Sequence, residues 1–99
     1  MTYVRISTLQ ADPSKVEEVT RYHREQALAT LRQQPGFEES QLLVDRTSGK
    51  IISVTLWASE AAARAGDKTL SQSRAEAAAL SGAPTPTSEV FEMVVNENA

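Results

Sequence analysis

The chain holds one histidine, His23, and one tryptophan, Trp57. Imidazole is the side chain that takes or gives a proton near neutral pH without a special environment. Indole offers a flat apolar wall and an N–H donor. Together they suit proton abstraction from a planar organic molecule, provided that the fold brings both to one enclosed place.

Each residue also has a purely structural alternative. A buried imidazole without a hydrogen-bond partner loses about 1–3 kcal/mol. One helical turn away from His23 lie Val19, Thr20, Gln26 and Ala27, so no carboxylate on the same helix orients it. Its partner must come from the sheet, from water or from a ligand, and a hydroxyl or a backbone carbonyl would make it an ordinary core histidine. Trp57 can equally be a large core filler. Val19 on the His23 side of its helix, and Ser53 and Thr55 on the Trp57 side of their strand, are the candidate substrate contacts.

Other chemistries find no support. A lone histidine without cysteine or clustered carboxylates does not make a metal site. The absence of cysteine also removes disulfides, thiolate zinc sites, iron–sulfur clusters and thiol nucleophiles. There is no phosphate-binding glycine loop, no Gly-x-Ser-x-Gly elbow, no His-Glu-x-x-His and no dinucleotide turn. Glu38 and Glu39 are neighbours on a strand and point to opposite faces, so they cannot serve as a paired acid and base. Glu17 and Glu18 read as a solvated helix edge, and the alanines of segment 75–79 as helix propensity.

At 99 residues, 40% apolar and 23% charged, the chain suits one globular domain. The net charge is −3, and the ten basic residues scatter from Arg5 to Arg74 without clustering. Nucleic acid is therefore not an expected partner. No apolar run approaches the roughly 20 residues that span a bilayer, so no membrane association is expected. The first residues lack a basic stretch followed by an apolar one and a cleavage site. A cytoplasmic location is the expectation.

The elements that must position these groups follow from periodicity. Residues 3–10 alternate as a strand, with Val4, Ile6 and Thr8 on one face and Arg5, Ser7 and Leu9 on the other. Asp12 and Pro13 start a helix predicted to reach residue 33 and to stop at Pro35-Gly36. At about 100° per residue, Val16, Val19, Thr20, His23, Ala27, Thr30 and Leu31 share one side. A second strand is predicted over 37–45, with Leu42 and Val44 opposite Phe37 and Leu43, and a hairpin turn over 46–50. The third strand, 51–57, sends Ile52, Val54 and Leu56 one way and Ile51, Ser53, Thr55 and Trp57 the other. Ser59 caps a second helix, which Gly66-Asp67 is predicted to kink or interrupt before 68–80. A loop over 82–86 leads to a last strand over 89–95, with Phe91, Met93 and Val95 opposite Val90 and Val94. Residues 2–95 read as a single domain and 96–99 as a frayed tail. The order β-α-β-β-α-β predicts an α+β, ferredoxin-like fold with an antiparallel four-stranded sheet.

Two helices cover one face of such a sheet, yet the third and fourth strands are apolar on both. Leaving about six large apolar side chains in water forfeits on the order of 10 kcal/mol, which rivals the stability of a whole domain. A two-fold homodimer that covers the open face is the expected solution.

Tyr3-Val4-Arg5-Ile6 leads to a helix rich in Glu and Arg, then to Gln34-Pro35-Gly36-Phe37, then to a strand that ends Leu56-Trp57-Ala58-Ser59-Glu60-Ala61. In this succession the chain resembles the antibiotic biosynthesis monooxygenase family of dimeric α/β barrel proteins, over roughly residues 2–95. The resemblance implies a homodimer whose two sheets close into a barrel, with a cavity in each subunit between sheet and helices. It implies oxygenation of a small electron-rich aromatic or quinone-like metabolite without metal or flavin, so no cofactor. It also implies His23 as the base and Trp57 as a wall of the pocket. Haem-degrading relatives use an Asn on the first strand and a His on the second helix, and this chain has neither. Ser53 stands where anthrone oxygenases carry an Asn four residues before the tryptophan. Many relatives have no known activity. A binding or sensing module, or a polyketide cyclase or isomerase using His23 for enolisation, are the alternatives on the same fold.

Overall fold

A strand of alternating faces opens the molecule: β1, Tyr3–Gln10, buries Arg5 and Leu9 on its inner side. This computed structural model describes residues 1–82 and 88–98. Asp12 then caps a helical start, accepting hydrogen bonds from the Ser14 N–H at 2.9 Å and the Ser14 hydroxyl at 2.7 Å. Pro13 occupies the first helical position, where its missing N–H costs nothing.

The long first helix is not uniform. A 3₁₀ turn, Pro13–Lys15, runs into α1, Val16–Tyr22, then a π-helical turn, His23–Ala27, and then α2, Leu28–Arg32. In the π turn the Leu28 N–H reaches back five residues to the His23 carbonyl. Such wide turns are rare and are often found at functional sites. The periodicity of the sequence does not contain it. The helix ends with Pro35-Gly36, as the breaker pair requires.

Next come β2, Phe37–Val44, and β3, Lys50–Trp57, paired antiparallel. The Asp45 carboxylate ties their turn by accepting from the N–H groups of Thr47 and Ser48. A β-bulge lies between Phe37 and Glu39. The bulged residue resets the alternation, so Phe37 falls on the same face as Leu42 and Val44 and packs against Trp57. This corrects the expected placement of Phe37 on the opposite face. Period-two reasoning fails wherever one strand carries an extra residue.

Ser59 caps α3, Glu60–Thr69, by accepting from the Ala62 N–H at 3.1 Å. Gly66 lies inside this helix without interrupting it, and the break falls at Leu70 instead. The reason for glycine is steric: a Cβ there would stand 2.5 Å from Trp57 Cη2. Helix α4, Ser71–Ser81, closes on Gly82, whose left-handed φ of 76° suits a helix end. The predicted loop falls largely on residues 83–87, which lie outside the described residues, as does Ala99 of the predicted tail.

The last strand, β4, is Ser88–Glu92, shorter than predicted. The sheet is antiparallel with order β2-β3-β1-β4. This is the ferredoxin-like α+β arrangement. One buried cluster gathers Leu9, Val16, Val19, Ile51 and Ala78, and a second gathers Leu31, Trp57, Ala63 and Leu70. Both lie between sheet and helices. On the other face, Phe91 remains 47% and Leu43 49% exposed.

Candidate functional site

Between the two clusters lies a cavity of about 90 Å³, walled by β1 and β3 below and by the first helix and α4 above. Leu9, Leu31, Leu42 and Ile51 make most of its surface apolar. His23, Val19, Ser53 and Thr55 all line it. Trp57 does not appear in its wall.

His23 enters from the start of the π turn. Its Nε2 lies 3.4 Å from the Ser40 hydroxyl on β2, a long contact that leaves the ring loosely held. The partner thus comes from the sheet. Burial holds the imidazole below its ordinary 6.5, since charging it would cost solvation. At neutral pH the ring is therefore neutral, the state a proton acceptor needs.

Trp57 is fully buried behind the cavity. The expectation of a wall with a free indole N–H is corrected: that N–H donates to Thr55 Oγ1 at 2.8 Å. Phe37 meets the ring edge-on at a centroid distance of 5.6 Å, and the Arg5 guanidinium lies 5.2 Å from its centre. A large ring ending a strand is drawn to the deepest apolar layer, here the space that Gly66 leaves open.

The cavity also holds residues that belong to no motif of the sequence: Arg5, Arg74, Tyr22 and Ser7. Arg5 is only 5% exposed, and its Nη1 donates to the Ala63 carbonyl at 3.1 Å. Burial pushes its pKa down to about 10, aided by Arg74 and opposed by Asp67, so the group stays cationic. Arg74 pairs with Asp67 at 2.8 Å. Tyr22 spans from α1 to α4 by donating to Glu76 Oε2 at 2.6 Å. Two signals pointed to the arginines. Arg5 shares its strand face with Ser7 and Leu9, and Arg74 shares a helix face with Leu70, Ala77 and Ala78. A cation on an otherwise apolar face is the informative exception.

A neutral base, hydroxyls and two guanidinium groups around an apolar void can bind a planar molecule, remove a proton and stabilise the resulting anion. Among the described residues no group of three His, Cys, Asp or Glu could hold a metal, and no helix is long and apolar enough to cross a membrane.

Residues 2–77 match the family described as antibiotic biosynthesis monooxygenase. Curated protein sequences show no match to the chain. Solved structures do. A Streptomyces coelicolor monooxygenase in complex with nanaomycin D is 19% identical, with 98% of this chain and 91% of that chain covered and a TM-score of 0.74. A Nitrosomonas europaea protein of unknown function is 18% identical, covering 99% and 94% with a TM-score of 0.75. A Mycobacterium tuberculosis protein is 15% identical, covering 99% and 100% with a TM-score of 0.70. At these identities the likeness is one of fold.

Proposed function

The chain belongs to the antibiotic biosynthesis monooxygenase family, and from that premise we propose that it oxygenates a small electron-rich aromatic or quinone-like molecule with O₂, using neither metal nor flavin. The observation that carries this reading is a half-buried His23, kept neutral by desolvation, facing the same apolar cavity as the Arg5 and Arg74 guanidinium groups.

In this reading His23 takes a proton from an acidic ring C–H or O–H of the substrate. The anion passes an electron to O₂, and the two radicals join in a carbon–oxygen bond. His23 returns its proton to the peroxide. For a ring methylene, loss of water then converts CH₂ to C=O, so that one oxygen atom enters the product and the other leaves as water. Val19, Ser53 and Thr55 contact the ring. Trp57 acts as a positioning residue, holding Thr55 and Arg5 from behind. Apolar walls exclude competing water.

The working unit is a homodimer in the cytoplasm, built from a single domain of residues 2–95. Val4, Ile6, Ile52, Val54 and Leu56 share the sheet face opposite the helices with Phe91 and Leu43, the latter two 47% and 49% exposed. A second copy covers that face most economically.

Oxygen uptake with a panel of hydroquinones and anthrones, comparing wild type with His23→Ala, tests the reaction. Uptake that disappears in His23→Ala supports it; no uptake on any compound, or an unchanged rate in the variant, removes it. A neutral base beside cations also serves enolisation. Turnover under argon would identify a cyclase or isomerase, and saturable binding without product a binding module.

A further inference from the structure

Arg5 and Arg74 both line the cavity, and one carboxylate pairs with Arg74 beside it. That carboxylate, Asp67, is committed: it pairs with Arg74 at 2.8 Å and accepts from the Ser88 hydroxyl. Among the described residues, no acidic side chain forms an ion pair with Arg5, which is held by the Ala63 carbonyl and the Trp57 ring face. Arg74 adds a second deficit, because its buried Nε has no hydrogen-bond partner. Two guanidinium groups thus share the charge of one nearby carboxylate, which leaves the pocket one positive charge in excess and a spare donor.

Buried cations without a counter-ion are costly and are rarely kept without one. The missing partner is an acceptor with negative charge, attached to an apolar body that suits aliphatic walls. A carboxylate on a planar ring fits both demands. Its two oxygens match the planar fork of a guanidinium, and the ring lies against Leu9 and Leu42. We infer that the natural ligand is an aromatic carboxylic acid whose carboxylate seats between Arg5 and Arg74, leaving the ring hydroxyl or methylene for His23. This deepens the proposed function and rests on it for the identity of the site.

The test uses gentisate, a hydroquinone carboxylate, and gentisamide, its uncharged amide, titrated by calorimetry at neutral pH. Gentisate is expected to bind about ten-fold tighter or more, the gain of charge-assisted over neutral hydrogen bonds. Arg74→Gln and Arg5→Met should each bring that ratio towards one while amide binding persists. Titration of the wild type in rising chloride needs no variant and should weaken gentisate alone, because chloride competes for the same anion seat. Equal binding of acid and amide, failure of gentisate to bind, or affinities indifferent to both Arg74→Gln and chloride overturns the inference. The two readings fail separately. Gentisate bound with no oxygen uptake on it or on any compound of the panel defeats the reaction and leaves the anion seat. Uptake as fast on gentisamide as on gentisate does the reverse.

Discussion

The Trp57 indole donates its N–H to Thr55 Oγ1 at 2.8 Å, so the tryptophan influences the cavity through a neighbour on its own strand. Thr55 is itself buried and lines the void. Trp57→Phe keeps most of the apolar volume and removes the donor. It should cost about 2 kcal/mol, from a less satisfied Thr55 and a lost contact with Arg5. For a domain of this size that lowers the thermal midpoint by roughly 10 °C, measurable by circular dichroism. An unchanged midpoint would show that the bond contributes nothing.

Gly66 inverts the usual rule for a helix interior. Replacing an exposed helical glycine by alanine normally gains about 1 kcal/mol. Here the new methyl would stand 2.5 Å from Trp57 Cη2 and 3.1 Å from Arg5 Nη1. Gly66→Ala is therefore expected to destabilise by about 2 kcal/mol through overpacking. In a Trp57→Leu background the same change should be close to neutral. Equal losses in both backgrounds would place the cause elsewhere than the ring.

Burial lowers the His23 pKa below 6.5. The unfolded chain then binds the proton more readily than the folded one in the window beneath that value. The contribution to stability is complete above pH 6.5 and is lost as pH falls through the window to the depressed folded value. Activity that needs the neutral ring should rise along the same limb and then level off. Rate and stability profiles of wild type and His23→Gln check this: the acid limb of stability should flatten in the variant and its activity be lost, and activity that survives with the same acid limb would assign the limb to another group.

The open sheet face provides the fourth prediction. Val54 sits there, paired with Ile6 across β1 and β3. Val54→Lys places a charge where a second copy would bury it, at a cost of several kcal/mol. Wild type should sediment as a dimer at micromolar concentration and the variant as a monomer with native secondary structure. A monomeric wild type would end the dimer proposal.

Much of this arrangement is decided locally. Asp12 and Ser59 cap helices because a short oxygen-bearing side chain satisfies free N–H groups a few residues ahead. The faces of β1 and β3 follow from strict alternation, which puts Arg5 with Leu9, and Thr55 with Trp57. His23 falls inward by helical spacing alone. These features depend on neighbours within a turn or two, so the order of residues suffices to determine them.

Contacts between distant segments decided the rest. The bulge near Phe37, the π turn at His23 and the retreat of Trp57 behind Thr55 each arise where one element must fit another. Gly66 serves a ring nine residues away in the chain, and Arg5 is held by a carbonyl 58 residues away. That two arginines line one void, with a single carboxylate paired to one of them, is a fact of packing alone. Close packing couples side chains by distance in space, and no period along the chain encodes that distance.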